Sequence, residues 1–169
     1  KKFKISPDET LKVVQTLYEK KMLTYPRTDA RVLSKAVAKE INKNIKGLLN
    51  IQNQEIKGFV QNIVTKNLSK GLEKTRYVND KAITDHYAII PTGQGLDNFN
   101  KLNSTEREIF LLVVRRFLSI FYPPAIFSRL LITTKIKSES FFTSSRICTE
   151  KGYLEILDYD KADKNTKVE

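Results

Sequence analysis

Tyr25, Pro26, Arg27, Thr28 and Asp29 follow one another directly after Thr24. The run joins a phenol, a fixed turn and a planar cation. A tyrosine hydroxyl can act as a nucleophile and form a covalent intermediate. Pro26 fixes its own φ near about −65° and drives the residue before it into an extended conformation. Tyr25 is therefore expected at the end of a short strand, Leu23-Thr24-Tyr25, at the mouth of a turn. The Arg27 guanidinium fork suits phosphate oxygens, so the chemistry on offer is attack on a phosphodiester. A free phenol has a pKa of about 10, so few phenolates exist at neutral pH. Nearby positive charge favours the phenolate, and Arg27 is the best local candidate. Asp29 can orient Arg27 or cap a following helix. The same spacing also suits a packed tyrosine followed by a surface arginine, so the run alone leaves both readings open.

His86 is the only histidine. It precedes a short apolar run, Ala88-Ile89-Ile90, which Pro91 and Gly93 end. That places it at the edge of a buried segment, near where a phosphate can bind. A neutral imidazole can hydrogen-bond a phosphate or move a proton; a charged one adds electrostatic stabilisation. A lone histidine is more often structural or on the surface. Thr28 and Thr92 can donate hydrogen bonds to phosphate or hold Arg27.

The elements that must position these groups are legible from caps and periodicity. Ser6, Pro7 and Glu9 open a first helix as cap, first helical residue and capping-box partner. Leu11, Val14, Leu17 and Tyr18 share one face, and the helix ends near Lys20 or Lys21. A second helix follows from Asp29 or Ala30, with Val37, Ile41, Ile45 and Leu48 recurring at helical spacing and Gly47 weakening its last turn. A third spans 54–66, with Gly58 as a soft spot, before a loop over 67–75. Asn103 or Ser104 caps a fourth, whose buried face is Ile109, Leu112, Val113, Phe117 and Ile120. Arg115 and Arg116 fit an ordinary solvated face of this helix, and Arg76 a turn beside a packed Tyr77. From Phe127 the pattern changes to strands, 130–136 and 141–149, joined through Ser138-Glu139-Ser140, with a third short strand over 153–157.

Composition narrows the class. The chain has 169 residues and a formal net charge of +11. Residues 1–126 hold 22 Lys/Arg against 12 Asp/Glu, and 127–169 hold 8 against 7. The basic portion thus carries the motifs, and such a surface attracts nucleic acid by neutralising phosphates. A lysine-rich solvated surface accounts for the charge equally well. One cysteine, Cys148, excludes an internal disulfide or a Cys-based zinc site and fits a reducing compartment. No apolar run reaches the roughly 18 residues of a membrane span, and the basic N-terminus lacks a signal-peptide core. The chain begins inside a pattern and is expected to be a piece of something longer.

Three segments carry a family resemblance. Leu17-Tyr18-Glu19-Lys20 and then Thr24-Tyr25-Pro26-Arg27-Thr28-Asp29 resemble the active-site segment of type IA DNA topoisomerases, in particular the topoisomerase III branch. Asp85-His86-Tyr87-Ala88-Ile89-Ile90-Pro91-Thr92 is similar to that family's histidine segment. Ser104 to Ala125, with Arg115-Arg116-Phe117 and Tyr122-Pro123-Pro124, is the third. The second histidine of the topoisomerase III pattern is Tyr87 here.

The resemblance implies that Tyr25 attacks DNA to form a 5′-phosphotyrosyl bond, with Arg27 and His86 assisting and Thr28, Asp29, Arg76, Thr92, Arg115 and Arg116 contacting the strand. It implies single-stranded DNA and the remaining domains of a parent topoisomerase as partners, with no membrane and no small-molecule substrate, and a bacterial cytoplasmic location at the nucleoid. It also implies Mg²⁺ held by a separate Toprim domain, since this chain has no Asp-x-Asp-x-Glu-like cluster and supplies no metal ligands. Alone, the fragment is expected to be inactive. The expected fold is mainly α with a C-terminal β segment, α+β. A winged-helix-like catalytic-tyrosine domain covers 1–126, part of the β-rich gate domain covers 127–160, and a disordered tail covers 161–169. Two other classes remain. A non-catalytic single-stranded nucleic-acid-binding module needs no reactive Tyr25. A tyrosine recombinase needs several arginines and more histidine around a late tyrosine, whereas Tyr25 comes early.

Overall fold

In the computed structural model, which describes residues 3–157, the first helix starts where its capping signals place it. The Ser6 hydroxyl accepts from the Glu9 backbone N–H at 3.1 Å, and the Glu9 carboxylate accepts from the Ser6 N–H at 2.8 Å. Helix α1 then runs Pro7–Glu19. The Ser6 backbone N–H, then its hydroxyl, hold the Glu9 carboxyl below its ordinary 4.5. Because the folded value is the lower one, this contribution is present above the unfolded pKa and is lost as pH falls through the folded one.

α1 ends in a Schellman motif. Lys21 N–H donates to the Tyr18 carbonyl at 2.8 Å and Met22 N–H to that of Leu17 at 2.9 Å, pairing carbonyls that a helix end otherwise leaves open. Lys21 adopts the left-handed conformation, φ 59°, that this turn requires. The reversal sends Met22 and Leu23 straight into the core, where both are buried.

Helix α2 runs Lys35–Gly47 and is capped by Ser34, whose hydroxyl accepts from Val37 N–H at 3.2 Å. It starts later than expected from Asp29 or Ala30. The intervening chain is extended because Val32 and Leu33 spend their backbone groups on other segments. Ala88 N–H donates to the Val32 carbonyl at 2.9 Å; Leu33 N–H donates to Tyr77 O at 2.8 Å and Leu33 O accepts from Asn79 N–H at 3.0 Å. Helix α3, Gln54–Thr65, is capped by Asn53, and α4, Ser104–Ser119, by an Asn103–Glu106 capping box. Within the 67–75 stretch, Gly71 in the left-handed region leads into a short 3-10 turn, Leu72–Lys74.

α1 packs on α4, α2 on α3, and α3 on α4. Leu17, Ile41, Ile45, Ile56, Ile63, Phe110 and Leu118 are fully buried between them, each such side chain contributing about 1.5–3 kcal/mol. The buried face of α4 is Ile109, Phe110, Val114, Phe117 and Leu118, while Leu112 is 39% exposed. The six consecutive apolar residues from Ile109 to Val114 let helical periodicity be read in more than one rotation, and packing chose a different one. Gly47 is not a soft last turn. A Cβ there would lie 2.3 Å from the Gly93 carbonyl oxygen, so two backbones meet where only glycine fits.

The chain divides into two compact units, one ending at Phe121 and the other beginning at Tyr122. The second unit is built on a two-stranded antiparallel sheet, β1 (Ile126–Ile136) and β2 (Glu139–Glu150). Leu130 faces Ser145 and Ile132 faces Thr143. The connection is tighter than Ser138-Glu139-Ser140, because Lys137 takes the positive φ, 55°, that a two-residue hairpin turn needs. Leu130, Ile132, Ile136, Phe141 and Ile147 are exposed on one face of the hairpin. The expected third strand over 153–157 is instead a 3-10 turn, Gly152–Glu155. Gly152, at φ 49°, curls the chain so that Tyr153 N–H donates to the Pro123 carbonyl at 2.9 Å, leaving no strand to pair. Helices and an antiparallel sheet together make the fold α+β. Among the described residues no helix is long and apolar enough to cross a membrane. The tail assigned to 161–169 lies outside the described residues.

Two alanine substitutions separate close approach from helix propensity. Gly47→Ala is expected to destabilise by about 1–3 kcal/mol through backbone overpacking. Gly58→Ala, where a Cβ meets nothing within 4 Å, is expected to stabilise by about 0.5–1 kcal/mol. Urea unfolding of both variants reads the difference.

Candidate active site

The chain reaching Tyr25 is held by antiparallel pairing with the segment after His86. Leu23 bridges Pro91; on either side, Thr24 N–H donates to Ile90 O and Thr92 N–H to Met22 O, both at 3.0 Å. This is the pairing position that asks for no N–H from the bridged residue, which is why a proline is tolerated there. The Thr24 hydroxyl extends the pairing by accepting from Ile90 N–H at 2.9 Å and donating to Ala88 O at 3.3 Å. The strand expected over 23–25 is thus a single bridge completed by a side chain. Asn44 of α2 donates to the Pro91 carbonyl at 3.0 Å, and the close approach of Gly47 to Gly93 braces the same segment.

Tyr25 emerges from this pairing half-buried, between Tyr18 of α1 and His86. Its ring centroid lies 5.4 Å from that of Tyr18, edge-on at 83°, and 4.4 Å from that of His86, tilted at 43°. The Tyr25 hydroxyl makes no hydrogen bond among the described residues. The turn beyond it is tied to the histidine: Thr28 Oγ1 donates to His86 O at 2.7 Å and accepts from Ala30 N–H at 3.1 Å. Pro26 is buried, while Arg27, Asp29 and His86 are exposed. Arg27 and Asp29 have no hydrogen bond or ion pair among the described residues. Asp29 therefore neither orients Arg27 nor caps α2, which Ser34 does. Lys20 pairs with Glu106 at 3.2 Å, fixing the end of α1 to the start of α4 just before the tyrosine.

An open groove of about 510 Å³ runs past Tyr25, lined by Tyr18, Lys21, Thr24, Tyr87, Thr92 and Gln94 among others. Thr92 Oγ1 donates to Lys21 O at 2.5 Å and accepts from Gln94 N–H at 3.0 Å. The hydroxyl hydrogens of Thr28 and Thr92 are thus committed to backbone carbonyls and do not hold Arg27. The groove gathers Tyr25 and Thr92, with His86 against the tyrosine ring. Sequence reasoning missed Tyr18, Lys21 and Gln94 as groove residues. Lys21 reads as an ordinary helix-end lysine; its signal is the left-handed turn that a lysine seldom makes.

The three outlying arginines do not line this groove. Arg76 lies 5.2 Å from the Tyr77 ring centroid and donates to the Tyr77 hydroxyl at 3.2 Å. Arg115 pairs with Glu55 at 2.5 Å, its side chain only 15% exposed. Arg116 borders a separate cavity. Among the described residues no group of three or more His, Cys, Asp or Glu side chains is arranged to hold a metal ion.

The sequence profile of the family described as DNA topoisomerase matches residues 1–169. DNA topoisomerase 3 of Bacillus cereus (strain ZK / E33L) is 35% identical over 162 residues, covering 94% of this chain and 21% of that protein. DNA topoisomerase 3 of Bacillus subtilis (strain 168) is 32% identical over 171 residues, 100% of this chain and 22% of that protein. The chain spans about a fifth of the length of these relatives.

Thr24→Val removes a hydroxyl that satisfies two backbone groups, and is expected to cost about 1–3 kcal/mol in thermal unfolding. Lys21→Gly relieves the left-handed turn and is expected to stabilise by about 0.5–1 kcal/mol.

Proposed function

The chain belongs to the type IA DNA topoisomerase family, and from that premise we propose that Tyr25 is the nucleophile of a single-strand DNA breakage and rejoining reaction. The observation that carries this reading is the juxtaposition of an unbonded Tyr25 hydroxyl with the sole histidine, 4.4 Å ring to ring. Tyr25 Oη attacks the phosphorus of a phosphodiester in single-stranded DNA. The Oη–P bond forms as the P–O3′ bond breaks, leaving a 5′-phosphotyrosyl end and a free 3′-hydroxyl. The phenolic proton leaves the nucleophile and a proton reaches the 3′-oxygen. The 3′-hydroxyl later attacks the same phosphorus, the Oη–P bond breaks, and the phenol is regenerated. One ester replaces another, so no ATP is consumed.

His86, exposed beside the tyrosine, hydrogen-bonds the phosphate or carries the proton. Arg27, free of any partner among the described residues, clamps phosphate oxygens as charge develops. Lys21 adds positive charge along the groove. Thr28, Thr24 and Thr92 act by holding backbone. Arg116 contacts the strand outside the groove, and Asp29, Arg76 and Arg115 are outer candidates, Arg115 only if its pair with Glu55 opens. The family resemblance assigns Mg²⁺ to a Toprim portion beyond these residues; every step above uses this chain's own side chains. The same reading gives the first unit as the catalytic-tyrosine domain and the hairpin as part of a gate domain. It also gives a bacterial cytoplasmic site of action, on the nucleoid.

The test is covalent trapping. This chain is mixed with a separately produced Toprim-bearing portion, Mg²⁺ and a labelled single-stranded oligonucleotide. A 5′-linked adduct on this chain is expected, absent with Tyr25→Phe and absent with this chain alone. His86→Ala is expected to slow adduct formation by about 10²-fold, and Arg27→Ala by about 10²–10³-fold. If the portions associate and bind DNA but give no adduct, the nucleophile assignment fails and a non-catalytic single-strand-binding role takes its place.

A further inference from the structure

A second cavity, of about 330 Å³, lies within the same unit as Tyr25 and has a different character from the groove. Its walls are apolar, including Ala88, Ile89 and Leu112, with the half-buried Tyr77 among them. Arg31 and Arg116 also line it; both are exposed, and their guanidiniums make no hydrogen bond or ion pair among the described residues. The Arg76 guanidinium, 5.2 Å from the Tyr77 ring centroid, adds positive charge beside it. Leu112 is 39% exposed, an open apolar side chain on a helix whose other apolar residues are mostly covered.

The cavity is joined to the Tyr25 groove by sequence. Tyr87 lines the groove, and the next residue, Ala88, lines the cavity, as do Ile89 and Ile90. Residues 87–90 span no more than about 11 Å even fully extended.

We propose that this cavity is a nucleotide subsite, taking one unpaired base of the bound strand, with Arg31 and Arg116 on the flanking phosphates. The inference rests on the reading of the chain as a DNA-cleaving enzyme. An apolar, aromatic-walled space suits the face of a base, and free guanidiniums suit phosphate oxygens or the plane of the base itself. At about 330 Å³ it sits at the small end of ligand cavities, room for a single nucleoside. Because it belongs to the unit that carries Tyr25, a base seated there moves with the tyrosine. The cut strand is then gripped by more than its ester bond.

The test uses the 169-residue chain with methyl-labelled Ile and Leu. It is titrated with single-stranded oligothymidylate, then with an abasic spacer strand of equal length. Ile89 and Leu112 methyl signals are expected to shift with the first and not the second. Leu112→Ala is expected to weaken oligothymidylate binding about 3- to 10-fold while keeping its salt dependence. Arg31→Ala with Arg116→Ala is expected to lower the slope of log affinity against log salt by roughly 0.7 for each phosphate left without its arginine. Equal affinity for both strands, or no binding to either, overturns the proposal. So do methyl shifts that appear only when the remaining part of the enzyme is added, which make the cavity a protein-docking surface. Binding needs no cleavage, so the two readings fail separately. An adduct at Tyr25 without methyl shifts sinks the subsite alone, and methyl shifts without an adduct sink the nucleophile assignment alone.

Discussion

The pairing of Met22–Thr24 with Ile90–Thr92 joins Thr24 and Ile90 across 66 residues of sequence, and the geometry around Tyr25 follows from it. It is too short to be a strand and would be marginal on its own backbone bonds. Three features reinforce it. Pro91 sits where no N–H is required, the Thr24 hydroxyl supplies the bonds the backbone lacks, and the two facing glycines lock the far side to α2. Each depends on a residue type with a physical reason to be there. With the pairing fixed, Pro26 can do little but turn the chain, and Tyr25 is left projecting beside His86.

The polar groups of the region divide by what they bond. Threonine hydroxyls that invite assignment to the ligand are spent on carbonyls of Ala88, His86 and Lys21. Phenol and guanidinium, which cost little to leave in contact with solvent, are left unbonded. This is the expected arrangement for a site that must be rigid before its ligand arrives: short side chains hold the backbone, and long or reactive ones stay available. Arg115 follows the opposite course, having found Glu55.

The second unit obeys a different constraint. A two-stranded hairpin with Leu130, Ile132 and Phe141 exposed on one face buries little of its own apolar surface, and such a piece is marginal in isolation. The first unit, by contrast, closes a helical core around Leu17, Ile45 and Phe110. That difference accords with a chain covering about a fifth of its relatives' length.

Local signals in the sequence determined what local physics controls. The caps of α1 and α4, the bounds of α1 and α3 within a residue or two, the change from helix to strand near Phe127, and the family were all legible. A capping box or a β-branched run acts within a few residues of itself. What the tertiary structure decided was everything that needed a distant partner. α2 starts at Lys35 because Val32 and Leu33 are paired with Ala88, Tyr77 and Asn79. The face of α4 is set by what it packs on, since an unbroken apolar run permits several rotations. Gly47 reads as a weak helix end until Gly93 is placed against it. The sequence by itself determined that Tyr25 and His86 were the groups to watch. Only the fold decided that they touch, because the meeting of residues 25 and 86 is a property of the pairing between their flanking segments, and no local spacing encodes it.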